Sequence, residues 1–269
     1  MFAFLEILRP SVCALAAAGV LVGALVAGFN SPYIIALACL VAVGIAGAGN
    51  ITNDIFDYKI DKINRPKRPL PSGRVSKKAA KLYAGALFVA ANFLALIFLN
   101  VFCLGLALLN TAITIFYAAK LKRTPFGNFF DSWLASSTFI FGSLLIAGIN
   151  PTVIILAIMA FSANFGREIA KAIEDIKGDA KAKLRTIPIV AGRNFSIWIA
   201  IIFVFFAITF SPVPYLLKLL SINYLYLVIL ADIIFVIACF LLFFNVSKSQ
   251  RAMKIAMGIG ILAFLIGLI

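Results

Sequence analysis

The sequence predicts an all-α, polytopic membrane protein with nine spanning helices, and three observations carry that expectation. The chain of 269 residues is 64% hydrophobic and only 13% charged, with a mean hydropathy of +1.10. A soluble globule of this composition would expose large apolar patches and aggregate, whereas a bilayer solvates them. Apolar runs at or near the spanning length of about 18 residues recur along the whole chain. Basic residues then sort onto one side of the membrane once nine spans are threaded.

Taken in order, the first span, 11–29, follows Arg9 as the apolar part of a secretion signal would. It has no polar region and no small-x-small cleavage site, so it reads as a span. The turn Asn30-Ser31-Pro32 leads into the second, 33–56, which runs into the charged segment NDIFDYKIDKINRPKRPLPSG at 53–73. The third and fourth, 79–99 and 101–119, meet at Asn100, and YAAKLKRTP at 117–125 precedes the fifth, 131–149. Asn150-Pro151 turns the chain into the sixth, 152–173, which ends in REIAKAIEDIKGD at 167–179. Spans at 195–216, 222–245 and 251–269 complete a single domain, 1–269. Short turn-like links lie on one face and long charged links on the other.

With this threading, Arg9 and the segments 57–81, 120–123, 167–193 and 248–254 share one side and hold 23 of the 24 basic residues; Lys218 is alone opposite. The positive-inside bias makes that side cytoplasmic, with the N-terminus and charged loops inside the cell membrane and the C-terminus outside. The net charge of +14 then reflects topology and attraction to anionic headgroups of the membrane lipids, with no nucleic acid implied.

Histidine is absent, and Cys13, Cys39, Cys103 and Cys239 lie far apart in apolar runs, so neither a zinc site nor a disulfide framework is indicated. Seven of the ten acidic residues fall in two short segments: Asp54, Asp57 and Asp61, and Glu168, Glu174, Asp175 and Asp179. Glu6, Asp131 and Asp232 lie outside them. A continued helix puts Asp54, Asp57 and Asp61 (i, i+3, i+7) on one face, and Asp175 and Asp179 (i, i+4) on another. Like charges on one stripe repel. A hard divalent cation removes the conflict, and without histidine or a thiolate cluster Mg²⁺ is the natural ion, bridging carboxylates to substrate phosphates. Asn50, Asp54, Asp57, Asp61 and Asn164, Glu168, Lys171, Asp175 also share the offsets 0, 4, 7 and 11, which suggests two related helices facing a common cavity. The bland alternative is a solvated face that neutralises Lys59, Lys62, Lys77 and Lys78.

Two carboxylate sets with Mg²⁺ between them and cations nearby would grip a diphosphate leaving group. Arg65 and Arg68 in a proline-stiffened loop, Lys122 and Arg123, and Arg167 and Lys171 are the candidate phosphate contacts; each also suits a lipid headgroup. At this point NDxxDxxxD at 53–61, followed by RPKRPLPSG at 65–73, resembles the first motif of the UbiA superfamily of intramembrane prenyltransferases. REIAKAIEDIKGD resembles its second motif, and YAAKLKR at 117–123 its Tyr-x-x-x-Leu-Lys-Arg segment.

The resemblance spans the chain and implies nine helices around a central cavity. It implies Mg²⁺-dependent transfer from a polyprenyl diphosphate to a lipid acceptor. Asp54, Asp57, Asp175 and Asp179 match the family's metal-binding aspartates, with Asn53 and Asp61 supporting them and Asn50 on the substrate side. Lys171 and the Glu174-Asp175…Gly178-Asp179 pattern resemble the members that build archaeal ether lipids. That implies geranylgeranyl transfer from geranylgeranyl diphosphate to the free hydroxyl of geranylgeranylglyceryl phosphate. Transfer to an aromatic acceptor of the hydroxybenzoate, homogentisate or chlorophyll type is the alternative. Asp232, near the middle of the eighth span, is the feature that a secondary transporter would use; the clustering of the other acids at one interface argues against it.

Overall fold

The structure, a computed structural model, describes residues 2–181 and 184–268, without the side chain of Asn64. Among the described residues it is all helical: α1 (Phe2–Ile7), α2 (Pro10–Val26), α3 (Pro32–Phe56), α4 (Tyr58–Asn64), α5 (Lys77–Phe98), α6 (Val101–Ala119), α7 (Gly127–Ser143), α8 (Pro151–Glu174), α9 (Ile176–Lys181), α10 (Ile187–Ala191), α11 (Arg193–Phe210), α12 (Val213–Leu216), α13 (Ile222–Phe244) and α14 (Val246–Gly267). Each expected span overlies a helix. Among the described residues eight helices are long and apolar enough to cross a membrane, with α7 counted through its 3-10 continuation to Ile146 and α11 together with α12, and α2 is an apolar helix of 17 residues.

The turn residues act as the sequence predicts. Asn100 Oδ1 accepts from the N–H groups of Phe102 and Cys103, both at 3.0 Å, and its Nδ2 donates to the Leu144 carbonyl at 2.6 Å. Asn150 Oδ1 accepts from Thr152 N–H at 2.8 Å ahead of Pro151. Both satisfy donors that a helix start leaves orphaned.

Packing divides into two lobes. Val41, Ala91, Ala107 and Phe141 belong to a core built by α2, α3, α5, α6 and α7. Ile169, Val204, Leu242 and Met253 belong to a second core of α8, α11, α13 and α14. Val22, Phe139, Val153, Tyr224 and Phe264 join the lobes. Large apolar side chains such as Val89, Phe93, Phe116, Ile202 and Phe240 remain exposed on the outer surface, which suits lipid contact and no other solvent.

Glycine sets the closest approach in the first lobe, where α2 meets α7. A Cβ on Gly142 would lie 2.1 Å from the Val20 carbonyl oxygen, and one on Gly23 would lie 2.0 Å from that of Phe139. Both obstacles are backbone, which cannot swing aside. Gly142→Val is therefore expected to cost about 3 kcal/mol or more, at or beyond the upper end of overpacking penalties. A thermal unfolding midpoint in detergent unchanged from wild type would contradict this packing.

Candidate active site

α3 and α8 both stop at an aspartate and restart one residue later. Asp57 (φ −89, ψ 3) separates α3 from α4, and Asp175 (φ −84, ψ 0) separates α8 from α9. Both sit in the sparsely allowed bridge region where active-site residues concentrate. Across each break the backbone bonds match: Asp61 N–H donates to Asp57 O at 2.8 Å, and Asp179 N–H to Asp175 O at 2.9 Å. The structural correspondence is thus Asp57–Asp61 with Asp175–Asp179. The sequence offsets instead pair Asp57 with Lys171 and Asp61 with Asp175. They carry the helical register through a point where the helix is interrupted.

These breaks border a cavity of about 1170 Å³ that runs down between the lobes. Asn53, Asp57, Asp61, Asp175 and Asp179 line it, as do all seven expected substrate contacts: Asn50, Arg65, Arg68, Lys122, Arg123, Arg167 and Lys171. Apolar side chains such as Ile45, Met159, Phe235 and Ile261 line it as well. Asp54 does not belong to the lining. It is 2% exposed and engages Arg9 and Arg68, with Arg68 Nη1 3.2 Å from its Oδ1. Arg68 Nη1 thus joins Asp54 to Asp61 on one face, and Asp54 differs from Asp57 and Asp61 in not reaching the cavity.

Arg68 also holds Asp61, Nη1 to Oδ2 at 2.7 Å. Lys122 Nζ approaches Asp57 Oδ2 to 2.6 Å, in poor alignment for a directed hydrogen bond, so charge attraction dominates that contact. Burial pushes the Lys122 ammonium below its ordinary range, and Asp57 pulls it back. On α8, Glu168 is neutralised by its own helix neighbours Arg167 and Lys171, the latter at 3.0 Å. Asn164 donates to Asp131 Oδ2 and Ser132 Oγ, both at 3.3 Å. Asn50 donates to the Leu8 carbonyl at 2.8 Å, which ties α3 to the end of α1. Glu174 also lines the cavity and accepts from Ser247 and Gln250 at the start of α14.

Arg9, Asp131, Tyr117 and Lys254 also line the cavity, and no site role for them was read from the sequence. Tyr117 lies inside the quoted YAAKLKR segment. Arg9 offers no local signal, because its partner Asp54 is 45 residues away. Its backbone sits at φ 54, a left-handed conformation rare for a side chain of this size.

Asp175 and Asp179 make no ion pair among the described residues. Partial loss of hydration at the cavity rim raises both above the ordinary carboxylate range, with Asp175 still exposed and Asp179 half-buried, and Asp175 raises Asp179 further. No three metal-ligating side chains converge among the described residues. Mg²⁺ nonetheless suits this donor set, because it binds through one or two carboxylates and completes its octahedron with water and substrate phosphates. Asn53 Oδ1, buried without a hydrogen-bond partner beside Asp57, adds a free oxygen.

Similarity to known proteins accords with this geometry. A family model described as the UbiA prenyltransferase family matches residues 16–265. A digeranylgeranylglyceryl phosphate synthase of Methanopyrus kandleri is 39% identical over 274 residues, covering 100% of both chains. A solved structure of a digeranylgeranylglyceryl phosphate synthase superposes with a TM-score of 0.83 at 37% identity, covering 99% of this chain and 97% of the other. A UbiA homologue from Archaeoglobus fulgidus bound to GPP and Mg²⁺ shares the fold at a TM-score of 0.75 and 18% identity, covering 99% of each chain.

The raised carboxylates of Asp175 and Asp179 have a consequence for stability. Their charged forms are disfavoured in the fold, so the stability they confer is present below the ordinary carboxylate pKa and is lost as pH rises through their raised values. The double variant Asp175→Asn, Asp179→Asn is expected to have a higher thermal midpoint than wild type at neutral pH without divalent metal. The difference should close as pH falls well below about 4, where both carboxyls become protonated in the unfolded state as well. A midpoint lowered by the substitutions at neutral pH would contradict this electrostatic account.

Proposed function

This chain belongs to the UbiA prenyltransferase family, and from that premise we propose that it transfers a geranylgeranyl group from geranylgeranyl diphosphate to the free hydroxyl of geranylgeranylglyceryl phosphate. The product carries the second ether bond of an archaeal membrane lipid. The observation that carries this reading is the repeated helix break, which sets two i, i+4 aspartate pairs at the mouth of a long, largely apolar cavity. A polar mouth over an apolar shaft is the shape that an amphiphile with a diphosphate head requires. The end-to-end relationship to synthases of this lipid supports the choice of acceptor.

In this reading Asn53, Asp57 and Asp61 on one side, and Asp175 and Asp179 on the other, are the residues that would hold Mg²⁺. The bound ion supplies charge neutralisation to the leaving group. Arg65 and Arg123 have no carboxylate within ion-pair distance among the described residues, so both guanidiniums are free to grip phosphate oxygens bidentately. Lys122, depressed by burial, gains from any anion delivered beside it. Asp54 acts through Arg9 and Arg68 as a positioning residue. The bond from the donor's C1 to diphosphate breaks and one from C1 to the acceptor oxygen forms, with the hydroxyl proton and diphosphate as the remaining products. Apolar walls keep water from intercepting the allylic cation.

We read α2 as a ninth span: its 17 residues extend about 26 Å, close to a hydrocarbon core of about 30 Å. The one-sided distribution of basic residues supports a cytoplasmic N-terminus and cavity mouth, and an external C-terminus. Asp232, the feature that favours transport, accepts a hydrogen bond from Ser211 Oγ at 2.6 Å, which gives this carboxyl a fixed local partner.

Purified protein supplied with geranylgeranyl diphosphate, Mg²⁺ and geranylgeranylglyceryl phosphate is expected to form the ether, identified by mass spectrometry. Prenylated 4-hydroxybenzoate as the sole product would overturn the acceptor assignment. Asp57→Ala or Asp175→Ala should lower turnover by more than about 100-fold, since metal-borne charge stabilisation amounts to several kcal/mol. Near-normal turnover in both variants would overturn the metal assignment.

A further inference from the structure

Eight cationic side chains line the cavity, and five of them lie within 4.0 Å of a carboxylate. Arg65, Arg123 and Lys254 remain without such a partner among the described residues. Arg65 and Arg123 stand in the charged loops beside the aspartates. Lys254 differs, because it projects from inside α14, eight residues after Val246. At 1.5 Å per residue that is about 12 Å along a spanning helix. This charged first part of α14 also carries Lys248 and Arg251, and of its three cations Lys254 alone lines the cavity among the described residues.

Its register on α14 locates it. Ser247, Gln250 and Lys254 stand at i, i+3 and i+7, so they share one helix face. The first two hold Glu174, whose chain neighbour is the motif residue Asp175. Lys254 follows Gln250 by four residues and so lies about one turn, or ~5.4 Å, further down the face turned toward the end of α8. Beyond it the same face continues as Met257, Gly258 and Ile261, all on the cavity wall. A Cβ built on Gly258 would meet no atom within 4 Å, so the wall is open there.

A single cation above an apolar, open-walled strip fits a ligand with one anionic head and a hydrocarbon tail. We propose that Lys254 binds the phosphomonoester of the acceptor, and that the strip at Met257, Gly258 and Ile261 carries the acceptor's prenyl chain. This deepens the geranylgeranyl-transfer reading and rests on it. The geometry suits the chemistry, because the acceptor's phosphate and its reactive hydroxyl sit on adjacent glycerol carbons. Its phosphate must therefore lie within a few ångströms of the new C–O bond, next to the donor site yet separate from the aspartates that serve the diphosphate. α14 contributes no residue to the aspartate motifs, so it offers a wall on which a second anion avoids the first.

The test compares geranylgeranylglyceryl phosphate with its dephosphorylated counterpart, geranylgeranylglycerol, in steady-state kinetics of wild type and Lys254→Gln. The variant is expected to raise KM for the phosphorylated acceptor by roughly 10- to 100-fold, the range for losing a hydrogen bond to a charged group. KM for the donor should not change. With geranylgeranylglycerol the two proteins should perform alike, and Lys254→Arg should recover most of the affinity for the phosphorylated acceptor. Gly258→Leu should raise KM for both acceptors by filling the strip. An equal effect of Lys254→Gln on both acceptors, a raised donor KM, or unchanged kinetics would each overturn the assignment. Failure of wild type to use geranylgeranylglyceryl phosphate at all would instead overturn the underlying function.

Discussion

The site rests on one guanidinium. Arg68 reaches both Asp54 and Asp61, and Arg9 completes the charge balance at Asp54. Carboxylates at the end of a membrane-embedded helix lie in a low dielectric, where an unpaired charge costs several kcal/mol. Arginine suits this place because it stays charged and offers donors in a planar fork. The RPKRPLPSG loop returns Arg68 to the helix it has just left, through turns in which Arg68 N–H donates to Arg65 O at 3.1 Å and Ser72 N–H to Arg68 O at 3.0 Å. That closure fixes the end of α3, all of α4 and the N-terminal approach to α2 as one unit. Asp57 is left facing the cavity with Lys122 beside it.

The second motif reaches the same balance by a shorter route. Glu168 takes both of its cations, Arg167 and Lys171, from its own helix. Each motif therefore neutralises its buried acids, Asp54 and Asp61 in the first and Glu168 in the second, and carries an aspartate pair across a helix break. The neutralised acids tie their helices to neighbouring cations, whereas Asp175 and Asp179 stay without ion pairs among the described residues. A mouth of this kind above apolar walls separates head from tail, which orients a prenyl diphosphate with its labile bond at the boundary.

Much of this was legible in the sequence because the signals are local. Apolar runs located the helices, Asn100 and Asn150 marked turns through their capping chemistry, and the acidic spacing identified two motif helices. What was not legible depends on interruption or distance. An i, i+3, i+7 pattern places Asp54, Asp57 and Asp61 together, and it carries no sign that Asp54 is closed off from the cavity by Arg9 and Arg68. The fourfold offset shared by the two segments was real periodicity in the wrong register, since the breaks align Asp57 with Asp175. Arg9 and Lys254 counted only toward topology, because nothing near either residue in the chain points to α3 or to the cavity. α2 fell short of its expected end at 29, stopping at Val26 where the chain turns through Gly28 at φ 81.

The central claim is the division of labour between Asp54, which positions through arginine, and Asp57, which meets the substrate. It is tested most directly by titrating a non-reactive geranylgeranyl thiodiphosphate into Asp54→Asn and Asp57→Asn, with and without Mg²⁺. The account predicts that Asp57→Asn loses the Mg²⁺-dependent part of the affinity at unchanged thermal stability. Asp54→Asn should keep that dependence while its thermal midpoint falls. Loss of Mg²⁺-dependent binding in Asp54→Asn with full stability, alongside normal binding in Asp57→Asn, would contradict it.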